Sequence, residues 1–174
     1  MDLRYPIGKF ARPTEWSAAD RSAAIAAIAA APSEIAAAVA GLTDAQLDTP
    51  YRPGGWTVRQ VVHHLADSHL NAYIRLRLAL TEEHPTIKPY AEAAWAELAD
   101  ARTMPVGVSL SLLDGAHARW VTLLKTLAPA QFARTVNHPE NGVMTMDHLL
   151  AMYSWHGKHH AAHITELRKR ERWT

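Results

Sequence analysis

Histidine is the residue type in this sequence that bears most directly on chemistry: 11 of the 174 residues are His. Four of them fall between His156 and His163, and two more stand side by side at His63 and His64. Leu149, Tyr153, His156, His160, Ile164 and Leu167 recur at the 3.6-residue period of a helix, which puts His156 and His160 on one inward face. Imidazoles four residues apart on a helix have Cβ atoms about 5–6 Å apart and can converge on a single ion. His159 and His163 have the same spacing but share their face with Met152, Trp155 and Glu166, a more mixed surface. His156 and His160 are therefore the preferred pair. A pair alone also fits solvated or core-bonded histidines, so a third ligand decides.

That third ligand is sought in the stretch where Val61, Leu65, Ser68 and Ala72 form an apolar stripe. His64 lies within the stripe, whereas His63 aligns with Gln60 and Asp67. His64 is the better candidate, with His63 in reserve because helix rotation is not fixed by sequence. Three neutral imidazoles leave positions open on a divalent ion, the pattern of a catalytic rather than a structural site. The chain has no Cys, so it offers neither thiolate ligand nor thiol nucleophile, and zinc or nickel suits an imidazole shell best. The undiminished charge of such an ion acidifies a water or a thiol.

The run His156-Gly157-Lys158-His159-His160 is not a zinc-peptidase signature, because Gly157 stands where that motif needs a Glu as general base. Asp67, His69 and Glu97 are candidates for a base, and each also reads as a surface or supporting group. Trp56, Trp120 and Trp155 read as core. The tracts Ile87 to Tyr90 and Asn137 to Pro139 are placed to shape a pocket mouth.

The elements that must position these groups are helices. An Ala-rich stretch from Ser17 to Gly41, capped by Ser17, either kinks at Pro32 or divides there, with Ser33 capping a second helix. Thr57 caps a long helix to about Glu83. A short helical segment covers Tyr90 to Leu98, and Ser109 caps a helix to about Leu127. Thr145 opens the last long helix, which ends in Arg168-Lys169-Arg170, a basic terminus that complements the helix dipole. No stretch alternates with period two as a sheet would. The expected fold is all-α, a four-helix bundle with long connecting loops, in one domain over residues 1–174.

Composition narrows the function classes. With 18 Lys plus Arg against 17 Asp plus Glu, the formal net charge of +1 gives no bulk attraction to nucleic acid or anionic lipid. No uninterrupted apolar run approaches the roughly 18 residues of a membrane span. Met1 to Pro6 carries no apolar signal core, so a cytoplasmic location is expected.

The strings Pro53-Gly54-Gly55-Trp56-Thr57-Val58-Arg59-Gln60-Val61-Val62-His63-His64-Leu65-Ala66-Asp67-Ser68-His69, Leu80-Thr81-Glu82-Glu83, Ile87-Lys88-Pro89-Tyr90 and Trp155 through Leu167 closely resemble the YfiT family of the DinB superfamily. The resemblance spans nearly the whole chain. It implies a four-helix bundle of unusual connectivity, a homodimer, and a divalent metal held by three histidines. The family motif has one ligand directly before Leu on the second helix, matching His64, and two ligands four apart on the last helix, matching His156 and His160. It also implies an activity: transfer of a low-molecular-weight thiol, bacillithiol, to an electrophile, or metal-dependent hydrolysis. A metal-binding helical module without catalysis is the alternative from another class.

Overall fold

The computed structural model describes residues 2–173. Four long helices form its body: α1 (Ala18–Val39), α3 (Val58–Thr81), α6 (Val106–Lys125) and α7 (Met146–Glu171). Short helices α2 (Asp44–Leu47), α4 (Glu92–Trp95) and α5 (Ala99–Thr103) lie in the connections. A 3-10 turn, Pro129–Ala133, precedes a two-stranded hairpin, β1 (Thr135–His138) and β2 (Gly142–Thr145). The long helices pack in a ring in which α1 touches α7 and α6, and α3 touches the same two. The all-α four-helix bundle expected from the sequence is the fold.

Each long helix begins for a readable reason, with one exception. Ser17, Thr57 and Thr145 each accept a backbone N–H three residues on, and Asp20 and Gln60 return the bond to the first two caps. Ser109 does not cap α6. Pro105 stands at that helix start, and Ser109 lies inside the helix with its hydroxyl turned to His63. Pro32 does not divide α1, which is continuous through it, and the Ser33 hydroxyl donates to the Ala30 carbonyl. Residue 32 therefore has no N–H to offer the carbonyl of Ile28 one turn earlier.

α1 is long and apolar enough to cross a membrane on length and composition, with mean hydropathy 1.6 over its most apolar stretch. Its alanines raise that mean, its unbroken apolar run stops at Ser33 and Glu34, and Ile28 and Ile35 are fully buried in the two halves of the bundle core. Arg168 and Arg170 at the end of α7 donate to the carbonyls of Ala38, Ala40 and Tyr51, so the basic terminus closes the open end of α1.

The hairpin departs from the expectation of no strands. Val136 pairs with Met144 and His138 with Gly142, around a turn in which Gly142 adopts φ 72°. Four residues per strand are too few for alternation to register, although Val136 and His138 face inward and Asn137 outward. Asn137 also pairs with the Pro85 to Ile87 segment, through Ile87 N to Asn137 O at 3.0 Å and Asn137 N to Pro85 O at 2.9 Å. The two tracts expected near a pocket mouth are thereby fastened to each other.

Candidate metal centre

The start of α3 is fixed in rotation by two buried side chains. Arg59 reaches Asp44, Asp48 and the Met104 carbonyl, and Gln60 donates to the Ala96 carbonyl at 2.7 Å. With those outward anchors set, His64 faces α7. There it meets His156 and His160, whose ligand atoms and its own all lie within 4.8 Å of one another. His156 Nε2 is 3.4 Å from His64 Nε2 and 3.1 Å from His160 Nε2. Ligands at about 2.0–2.1 Å around a tetrahedral zinc would stand about 3.3–3.4 Å apart, so this spacing suits a shared ion.

The three rings are inclined to one another at 63°, 65° and 75°, so their edges converge while their faces do not stack. Trp56 packs against His64, ring centroids 4.6 Å apart. Burial lowers the pKa of His64 to about 4 and holds those of His156 and His160 well below the ordinary histidine value. All three imidazoles are thus neutral near pH 7, the form that carries a lone pair for a metal.

His63 is committed elsewhere. Its Nε2–H donates to the Met104 carbonyl at 3.1 Å, and its Nδ1 accepts from the Ser109 hydroxyl at 2.7 Å. Of the two adjacent histidines, the apolar stripe selected the one that faces α7. His159 and His163 lie on the adjoining face and are buried as well. His159 stacks on Trp155 at 4.3 Å, and His163 stacks on Tyr51 at 4.0 Å while donating to the Arg4 carbonyl at 3.2 Å. Their face reads as mixed in sequence because its cover, the segment around Tyr5, comes from the far end of the chain.

The three candidates for a base have different surroundings. Glu97 is bound by Arg102 at 2.6 Å and Gln60 at 3.1 Å. Asp67 is half-buried, and burial raises its carboxyl pKa. His69 is fully buried and bonded through both nitrogens: Nε2 to His156 Nδ1 at 3.0 Å and Nδ1 to His117 Nε2 at 2.8 Å. His117 in turn reaches the Ile28 carbonyl through Nδ1 at 2.6 Å. Sequence reasoning passed over His117. Its signal is present, since Leu113, His117, Trp120 and Leu124 recur at helical spacing and all four are buried.

Trp120 belongs to the core as expected, whereas Trp56 and Trp155 are half-buried and pack on histidines. Beside the centre, Arg75 is buried, donates to the Tyr153 hydroxyl and the Lys88 carbonyl at 3.3 Å each, and has no carboxylate in ion-pair contact among the described residues.

A family model, the DinB superfamily, matches residues 27–164. The chain belongs to that superfamily. Among its members in kind, a protein of Bacillus mycoides (strain KBAB4) named "Putative metal-dependent hydrolase" is 54% identical over 172 residues, covering 99% of each chain. One of the same description from Geobacillus kaustophilus (strain HTA426) is 53% identical over 173 residues, covering 98% of this chain and 97% of the relative. The solved structure of YfiT from Bacillus subtilis, described as "a probable metal-dependent hydrolase with an unusual four-helix bundle topology", matches this DinB-superfamily chain with a TM-score of 0.97 at 49% identity over 100% of both.

Proposed function

We propose that the chain is a metal-dependent enzyme that holds one divalent ion, zinc or nickel, on His64, His156 and His160 and transfers a low-molecular-weight thiol, bacillithiol, to an electrophilic small molecule. The observation that carries the metal reading is the convergence of three neutral imidazoles through Nε2 at 3.1 and 3.4 Å. When bound, the ion would supply positive charge that favours the thiolate over the thiol and polarises a substrate oxygen.

The residues around it supply position and exclusion of water. Arg59 and Gln60 hold the start of α3 so that His64 faces α7, and Trp56 packs against the His64 ring. One observation favours thiol transfer, in which the chain, having no Cys, would take its sulfur from outside. Among the described residues no carboxylate joins the three histidines in the group whose ligand atoms all lie within 4.8 Å of one another; a thiol, ionising in part near neutral pH, needs a base less than water does. In the transfer the thiol gives its proton to solvent, its sulfur forms a bond to the electrophilic carbon, and the leaving group departs with the electron pair of the bond that breaks.

The second reading is hydrolysis, favoured by the names of the relatives. Zinc-loaded protein incubated with an electrophile and bacillithiol, with another small thiol, or with none separates the two. Thiol-dependent consumption of the electrophile supports transfer. Equal consumption of an ester or amide without thiol replaces it with hydrolysis. A cytoplasmic homodimer completes the proposal; Val108 and Leu112, one turn apart on α6 and exposed, offer apolar surface for a second copy.

A further inference from the structure

We infer that His69 and His117 are positioning residues for the metal centre, a chain of imidazoles that fixes which nitrogen of His156 carries its proton and so turns the Nε2 lone pair toward the ion. The inference rests on the metal reading above and concerns residues outside the ligand set.

The chain of bonds has a direction because its far end is a carbonyl. The Ile28 oxygen only accepts, so the contact at 2.6 Å requires the proton of His117 on Nδ1. Neutral His117 then has a bare Nε2, and the contact at 2.8 Å requires His69 to donate from Nδ1. The same step repeats: bare Nε2 of His69 at 3.0 Å requires the proton of His156 on Nδ1, which leaves His156 Nε2 as a lone pair. That is the atom facing His64 Nε2 and His160 Nε2. A carbonyl three hydrogen bonds away thus sets the state of a ligand atom.

The acceptor at the end is available because of Pro32. In an uninterrupted α-helix the Ile28 carbonyl would accept from the N–H of residue 32, and proline has none. His117 takes the vacated place. The relay draws one residue from each long helix: His156 on α7, His69 on α3, His117 on α6 and Ile28 on α1. Packing holds the rings in these orientations: His69 lies parallel to His117 within 14°, and the Trp120 and Tyr153 rings stand edge-on to His69. Burial favours the neutral form of all three imidazoles. Outer partners that orient metal-bound histidines typically contribute 10–100-fold in metal affinity.

Two measurements on the full chain test this. Nitrogen-15 NMR of the metal-free protein reads the tautomers directly, and His69, His117 and His156 are each expected to carry the proton on Nδ1. Zinc titration of His117→Phe, which keeps an aromatic ring beside His69 without its hydrogen bonds, is expected to show affinity weakened 10–100-fold. His117→Gln, whose amide offers both an acceptor and a donor, is expected to recover part of it. An Nε2–H tautomer at His69 or His156, or unchanged affinity in a folded His117→Phe, overturns the relay while leaving the ligand set intact. Should His117→Phe not fold, the wild-type spectrum decides alone. Failure of wild-type protein to bind either zinc or nickel overturns the metal reading and the positioning role with it.

Discussion

His117 Nδ1 lies 2.6 Å from the backbone oxygen of Ile28, a carbonyl that Pro32 leaves without its helical donor. A proline in the interior of a helix ordinarily costs about 3 kcal/mol relative to alanine. Here the freed carbonyl has a use, because it terminates the histidine chain that ends at a candidate metal ligand.

Pro32→Ala separates stability from metal binding. Restoring the N–H at position 32 should raise the thermal stability of the metal-free protein, by up to about 3 kcal/mol less the packing lost by the buried ring. Competition for the Ile28 carbonyl should lower zinc affinity in the same variant. Melting curves and a zinc titration check it; a rise or fall in both quantities together would contradict the link.

Gly157 carries a second prediction. A Cβ there would stand 3.1 Å from the Ala31 Cβ on α1 and 3.7 Å from the His69 ring. Gly157→Val should cost about 1–3 kcal/mol by overpacking, measured by urea denaturation. Stability equal to wild type would mean that α1 and α7 separate easily at this point.

Acid should destabilise the fold. Burial lowers the pKa values of His64, His159 and His163 to about 4 and those of His69, His156 and His160 well below 6.5. Between about 6.5 and 4 the unfolded chain therefore binds more protons than the folded one, and stability falls as pH falls, by at most about 1.4 kcal/mol per pH unit for each such group. More than about one unit above 6.5 both states are neutral at these sites and the effect fades. Urea midpoints for metal-free protein at pH 8.5, 7.5 and 5.5 should be nearly level across the first pair and drop sharply to the third. A flat series would contradict the buried, neutral cluster.

His63→Ala tests which of the adjacent histidines serves the centre. It removes partners of Ser109 and the Met104 carbonyl, so stability should fall by about 1–3 kcal/mol while zinc binding persists. Loss of zinc binding in His63→Ala with retention in His64→Ala would reverse the assignment.

Much of this organisation is legible in the sequence. Ser17, Thr57 and Thr145 mark helix starts through local chemistry, and the stripes through Leu65 and Tyr153 place His64, His156 and His160 on inward faces. What is not legible depends on partners distant in the chain. Ser109 resembles a cap, yet its hydroxyl is engaged 46 residues away by His63. His159 and His163 are covered by Tyr51 and by residues near Tyr5, both far from them in the chain. The hairpin is too short for its alternation to stand out. The meaning of Pro32 requires knowing that His117, 89 residues from Ile28, comes to the same carbonyl.

The central claim is that His64, His156 and His160 together hold one divalent ion, and zinc titration followed by calorimetry tests it most directly. Wild-type protein should bind about one zinc per chain. His64→Ala, His156→Ala and His160→Ala should each lose most of that affinity while circular dichroism still reports a helical fold. Stoichiometric zinc binding with unchanged affinity in all three variants would contradict the claim.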